Sequence, residues 1–239
     1  MTPPVPAKPA LFLDFDGTLV DIVDRPDGVT VAAAVPKIIE GLLARLDGAV
    51  AVVTGRKVSE VDSFLKVPIA AAGMHGLERR PGPGGAVENA VPPQEIAVLR
   101  ARILAWEGLS GGVKLEDKGA GLAVHYRAAP EREVEVKTAM TGWVRDLTNL
   151  NLIAGKMVVE AKGAGHDKGV AVEKFMAGAP FAGRTPVFIG DDVTDEDGIR
   201  VAEAMGGFGI KVGEGPTLAT HRLANVSAVH AWLAAISEG

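Results

Sequence analysis

Apolar and polar positions along this chain follow two different periods. Residues 10–13 are a short apolar run closed by an Asp/Gly loop, the pattern of a strand buried on both faces. From Pro36, a residue suited to the first turn of a helix, Ile38, Ile39, Leu42, Leu43 and Leu46 recur at helical spacing until Gly48. Residues 50–53 repeat the buried-strand pattern and end in Thr54-Gly55-Arg56. A short polar helix over 57–65 and a weaker strand over 68–72 follow. This alternation of strand and helix predicts a parallel sheet wrapped by helices, with ligands at the carboxyl ends of its strands.

The alternation breaks at a Pro/Gly cluster, residues 81–85. Beyond it the pattern predicts a helix over 92–106, strands over 112–116 and 121–127, a helix over 131–147, and strands over 151–154 and 156–161. Strands joined by short turns imply an antiparallel sheet carrying two helices. Alternation then returns, with a helix over 167–176, a strand over 186–189, a helix over 194–205 and a strand over 208–212. A last helix, 226–236, places Val229, Trp232, Leu233 and Ile236 at helical spacing. The expected fold class is α/β: a Rossmann-like parallel-sheet core split by an inserted α+β unit. The expected division is core over 1–79, insert over 80–157 and core again over 158–239.

Composition narrows the partners. With 25 Lys+Arg against 30 Asp+Glu, a net charge of -5 and no basic run, nothing marks a nucleic-acid or anionic-membrane surface. A small soluble ligand is the expectation. The absence of cysteine excludes disulfides, thiolate metal sites and cysteine nucleophiles. Residues 1–9 are proline-rich without the apolar core of a signal peptide, and no apolar run approaches about 18 residues. The reading is a cytoplasmic protein with a short leader.

Acidic residues cluster where the pattern ends two strands. Asp14-Phe15-Asp16-Gly17-Thr18 follows the first strand, and two carboxylates so close repel unless a cation lies between them. The plain alternative is a turn with an Asx cap. A second group, residues 190–197, contains Asp191, Asp192, Asp195 and Asp197 and stands between a buried strand and a helix. Helix capping by Thr194 or Asp195 accounts for part of it, but not for Asp191 and Asp192. Oxygen-rich sites with carboxylates from two loops suit Mg²⁺. Thr54, ending the second strand, offers a hydroxyl and neighbouring N–H groups to a phosphate oxygen. Lys168 opens a helix, the end where a lysine is least favoured, and a partner among phosphate and carboxylates explains its place.

In order and context these four stations, Asp14 with Asp16, Thr54, Lys168, and Asp191 with Asp195, resemble the four motifs of the haloacid dehalogenase superfamily. The insertion resembles the larger, C2-type cap of that superfamily, which closes over the site. Within it, the chain from Leu11 almost to its C-terminus is similar to the trehalose-6-phosphate phosphatase family. The strings 13–19, 53–56, 75–78, 116–119, 125–127 and 190–197 carry the match, and Thr194 stands where most other capped relatives have Asn.

The resemblance implies a phosphomonoester hydrolase that releases trehalose from trehalose 6-phosphate, the last step of trehalose biosynthesis. Asp14 is then the nucleophile that forms an aspartyl-phosphate, and Asp16 the general acid and later base. Mg²⁺ falls to Asp14, the backbone carbonyl of Asp16, and Asp191; Thr54 and Lys168 hold the phosphoryl oxygens; Asp192 and Asp195 support from behind. Glu116, Lys118, Arg127, Lys156 and Glu160 carry over as sugar contacts, although alternating charges on an antiparallel strand also describe an ordinary solvated face. His75 is left outside the site as structural. No space is left for the synthase domain of fused relatives, so a stand-alone phosphatase is expected.

Three other readings stand beside this one. A phosphatase of the same class could act on sucrose phosphate, mannosyl phosphoglycerate or a hexose phosphate. A phospho-acceptor receiver domain also sets an acceptor Asp on a flavodoxin-like sheet, but needs neither a long insertion nor an acid for a leaving group. A sugar-phosphate binder without turnover is opposed by the full catalytic set.

Overall fold

The computed structural model describes residues 2–23 and 28–239. Its elements run in the order β1 (Pro9–Leu13), α1 (Val35–Arg45), β2 (Val50–Val53), α2 (Val58–Leu65), β3 (Ala70–Gly73), β4 (Glu78–Arg80) and β5 (Glu88–Asn89). Next come α3 (Gln94–Leu104), β6 (Lys114–Asp117), β7 (Gly121–His125), α4 (Glu133–Val144), β8 (Leu150–Gly155) and β9 (Val158–Gly163). The chain ends with α5 (Lys168–Met176), β10 (Thr185–Gly190), α6 (Asp195–Ala204), β11 (Phe208–Val212), β12 (His221–Leu223) and α7 (Val226–Glu238).

Two units result, one formed by residues 1–89 with 167–239 and the other by 90–166. The first contains an eight-stranded sheet in the order β12-β11-β10-β1-β2-β3-β4-β5. Strands β12 to β3 are parallel, and β4 and β5 close the far edge antiparallel. β1 and β2 are apolar at every position, as strands covered on both faces are, and Leu11, Phe12, Leu13 and all of β2 are fully buried. Phe12, Phe175 and Phe181 pack together, with ring centroids 5.0–5.9 Å apart. From β1 the chain proceeds to β2 on one side and, later, to β10 on the other. The carboxyl ends of these three strands therefore flank a topological switch point, where open α/β sheets bind ligands.

The second unit has a four-stranded antiparallel sheet, β6-β7-β9-β8. Its core packs Ile96, Leu99 and Ile103 of α3 and Val136 and Met140 of α4 against Leu122 and Val124. Alternation along β7 and β9 puts those apolar residues on the helix-covered face and leaves the other face to Glu116, Lys118, Glu160 and their neighbours.

The division differs from the expected 79/80 and 157/158 boundaries. Residues 78–80 pair with β3, and 88–89 pair in turn with β4, so the chain leaves the core sheet only after the glycine-rich turn. At the other end β9 stays paired with β7 as far as Lys162 and with β8 as far as Gly163. The edge strands escape sequence reading because they are two or three residues long and charged.

Candidate active site

Asp14 is the first residue beyond β1, and its backbone N–H donates to Ile189 of the neighbouring β10. Its buried carboxylate accepts a hydrogen bond from Lys168 Nζ at 2.7 Å, and Lys168 donates again to Asp195 Oδ1 at 2.6 Å. Lys168 is the first residue of α5, whose N-terminus is capped by Asp167 accepting from Val170 N at 2.8 Å. Burial alone pushes the Lys168 ammonium down, but the charges of Asp14 and Asp195 outweigh it and hold the group above the ordinary lysine value. Burial raises Asp14 well above the usual carboxylate range, with Lys168 opposing and Asp195 reinforcing.

Asp195 also organises the acidic loop. Its Oδ2 accepts from the backbone N–H groups of Asp191 at 3.0 Å and Asp192 at 2.9 Å. This turn back beneath the strand end requires Gly190, because a Cβ there would lie 2.2 Å from Asp195 Cγ. Thr194 makes no capping hydrogen bond, so helix capping by its side chain does not explain the loop. The arrangement brings one oxygen each of Asp14, Asp191 and Asp195 within 4.8 Å of one another. Gly17, at φ +82°, admits Asp191 to this cluster, since a Cβ would sit 2.2 Å from its carboxylate. Lys211, buried at the end of β11, donates to the Asp191 carbonyl.

The cluster fits a divalent cation. Asp191 Oδ1 is buried without a hydrogen-bond partner among the described residues. Burial, with the charges of Asp195 and Asp192, pushes the Asp191 carboxyl up to about 6, the signature of carboxylates gathered without enough positive charge. All the donors are hard oxygens, as Mg²⁺ prefers.

The remaining residues named from sequence separate into two groups. Thr54 is buried at the end of β2, and its hydroxyl accepts from Arg56 N at 3.2 Å. Asp16 turns its carboxylate to Arg56, which donates from Nε at 2.6 Å and from the second guanidinium nitrogen at 2.7 Å. Arg56 was not singled out from the sequence. The signal was its place directly after Thr54-Gly55, at a strand end beside the acidic turn. The hydrogen bond from Arg56 to Asp16 is the main cause that raises the guanidinium's pKa. Asp192 lies at the surface, where its Oδ1 accepts from Val193 N at 2.7 Å, so its side chain is not drawn into the cluster.

In the other unit, Glu116 and Glu160 stand in one row across the sheet, separated by Ala123. Lys118 Nζ donates to Glu160 Oε2 at 2.9 Å. Arg127, beyond β7, and Lys156, in the β8–β9 turn, are exposed and make no hydrogen bond or ion pair among the described residues. His75 lies in the core unit with φ +55°, donating its N–H to Thr54 O at 3.0 Å, and its ring abuts Gly55.

The comparisons with known proteins converge. A family model described as trehalose-phosphatase matches residues 12–228. A trehalose-6-phosphate phosphatase of Escherichia coli is 40% identical over 99% of this chain and 89% of its own length. A probable trehalose-phosphate phosphatase of Sinorhizobium fredii is 41% identical over 93% of this chain and 84% of its own. Among solved structures, a trehalose-6-phosphate phosphatase related protein superposes with a TM-score of 0.74 at 25% identity, covering 95% of this chain and 96% of that one. The C-terminal domain of a C. albicans trehalose-6-phosphate phosphatase has the same fold, with a TM-score of 0.79 at 18% identity over 96% of this chain and 92% of its own. With its parallel-sheet core, its inserted unit and the buried Asp14–Lys168–Asp195 cluster at the switch point, this chain belongs to the trehalose-phosphatase family.

Proposed function

We propose that this chain hydrolyses trehalose 6-phosphate to trehalose and phosphate, with Asp14 as nucleophile. The observation that carries the reading is the buried carboxylate of Asp14, held by Lys168 beside Asp191 at the switch point. Family membership over nearly the whole chain supports the substrate. A phosphoryl group arriving here meets an oxygen nucleophile whose position is fixed by a 2.7 Å hydrogen bond.

Asp14 attacks phosphorus in line, a new P–O bond forms to its carboxylate, and the bond to the sugar oxygen breaks. Asp16 gives its proton to the departing alkoxide and then takes a proton from the water that hydrolyses the aspartyl-phosphate, so it ends each turnover protonated as it began. Both Asp16 oxygens accept from Arg56, so delivery of that proton requires the pair to open. Thr54 and Lys168 supply donors to the phosphoryl oxygens. Asp195 keeps the Lys168 ammonium and the Asp191 and Asp192 N–H groups in register. A Mg²⁺ ion held by Asp14, the Asp16 carbonyl and Asp191 would neutralise charge on the phosphoryl group. Glu116, Lys118, Arg127, Lys156 and Glu160 are assigned to the sugar, and the unpartnered, buried Oε1 of Glu160 supports that assignment.

The test is phosphate release over a panel of sugar phosphates. Trehalose 6-phosphate is expected to give the highest kcat/KM; preference for sucrose phosphate, mannosyl phosphoglycerate or a hexose phosphate would overturn the substrate, and single turnover without release would overturn the reaction. No helix among the described residues is long and apolar enough to cross a membrane, and the proposal places the reaction in the cytoplasm.

A further inference from the structure

We propose that His125 is a positioning residue for sugar recognition, holding Glu116 as Lys118 holds Glu160. The inference rests on the assignment of Glu116 to the sugar. Glu116, Ala123 and Glu160 lie directly opposite one another on β6, β7 and β9. His125 stands two residues beyond Ala123 on β7, hence on the same face. Its Nε2 lies 2.8 Å from Glu116 Oε2, and because a carboxylate only accepts, the ring nitrogen is the donor.

The two acidic residues are built alike. Each carboxylate has one oxygen engaged by a neighbour on the sheet, Glu116 by His125 and Glu160 by Lys118. Each leaves Oε1 without a hydrogen bond among the described residues, and that of Glu160 is buried. Ala123 between them contributes only a methyl group, so no side chain from the middle strand crowds the row. Glu116 is half exposed, with a side-chain accessibility of 49%, and without His125 it would sample several rotamers. Fixing one oxygen orients the other, so less side-chain freedom remains to be lost when a sugar hydroxyl binds. An exposed cross-strand pair that merely stabilises the sheet is the competing account.

A double-mutant kinetic experiment separates the two. His125→Ala and His125→Gln are assayed alone and in a Glu116→Ala background, on trehalose 6-phosphate and on p-nitrophenyl phosphate, with folding checked by circular dichroism. His125→Ala is expected to raise KM for trehalose 6-phosphate about five- to tenfold with little change in kcat, the effect of one lost orienting hydrogen bond. Activity on p-nitrophenyl phosphate should hold, Gln should recover part of the loss through its amide donor, and the Glu116→Ala background should show no further rise. An unchanged KM in His125→Ala beside a raised KM in Glu116→Ala overturns the His125 assignment alone. Equal rises in both backgrounds, or equal losses on both substrates, also overturn it. An unchanged KM in Glu116→Ala overturns the reading of Glu116 on which the proposal depends.

Discussion

Replacing Lys168 by Met removes the ammonium shared by two buried carboxylates and keeps most of the side-chain volume. The three side chains are 4%, 6% and 0% exposed for Lys168, Asp14 and Asp195, so water does not replace the lost partner. Asp195 retains the N–H groups of Asp191 and Asp192, and the penalty falls chiefly on Asp14. Breaking a buried pair in this way costs about 3–5 kcal/mol. Proton uptake sets a ceiling. Each pH unit above the ordinary aspartate value of about 3.9 is worth about 1.36 kcal/mol, which caps the cost of neutralising one carboxylate at about 4 kcal/mol at pH 7 and about 1.5 kcal/mol at pH 5. The sign follows from linkage. In the variant the folded-state pKa of Asp14 stands above its unfolded value, so no stability is lost below the unfolded pKa and progressively more is lost as pH rises towards the folded one. Asp14 already stands above the ordinary carboxylate range in the wild type, so the deficit against wild type lies below these ceilings: urea denaturation in EDTA should show at most about 4 kcal/mol at pH 7 and at most about 1.5 kcal/mol at pH 5, the smaller deficit at the lower pH. A deficit that is equal at the two pH values would refute the argument that a desolvated carboxylate is its cause.

Asp14→Asn should abolish turnover on every phosphomonoester while leaving the urea midpoint at or above that of wild type, because the amide is isosteric and no longer a nucleophile; residual turnover in the folded variant would remove Asp14 from its role. Gly17→Ala should raise the half-saturating Mg²⁺ concentration in a phosphatase titration tenfold or more, an order of magnitude set by about 1.4 kcal/mol of lost binding, since its Cβ would meet the Asp191 carboxylate at 2.2 Å. An unchanged titration curve would mean that Asp191 can retreat without loss. Glu160→Ala should lower kcat/KM for trehalose 6-phosphate by about 1–3 kcal/mol, with p-nitrophenyl phosphate hydrolysis preserved. Parallel loss on both substrates would assign Glu160 to the stability of its sheet, through the Lys118 pair.

The parts legible in the sequence share one physical origin, strong local patterning. The strands Val50–Val53 and Phe208–Val212 appear at the positions the pattern predicts, because a strand covered on both faces is an apolar run with abrupt ends. The two acidic turns were legible because like charges gathered at strand ends have few structural uses. What escaped was decided by turns and pairing. The strand expected to begin at 112 begins at Lys114, since Gly111 and Gly112 both take positive φ to make the preceding turn. The strand expected from 156 begins at Val158, because Lys156 and Met157 form the hairpin turn, with Met157 at φ +63°. β4, β5 and β12 are too short and too charged to carry a period, and exist through the sheet edges that receive them.

Arg56 shows the same limit within the site. Its sequence neighbours mark a strand end, but the fact that matters, a two-point hydrogen bond to Asp16 forty residues earlier, depends on β1 and β2 being adjacent in the sheet. That adjacency follows from the strand order, which hydrophobic periodicity alone does not encode. Asp16 is therefore legible from its spacing to Asp14 as the second carboxylate of the acidic turn, with its role as acid implied by the resemblance, while the group that holds it becomes visible only in three dimensions. His125 and Glu116 stand in the same relation: each is one charged or polar position on an alternating strand, and only the register of β6 against β7 brings them together. The proposed nucleophile and acid thus share one contiguous motif, whereas the groups that hold them come from elsewhere in the chain, Lys168 from the start of α5 and Arg56 from the loop after β2, so a motif names the residues while only the fold shows which of them pair.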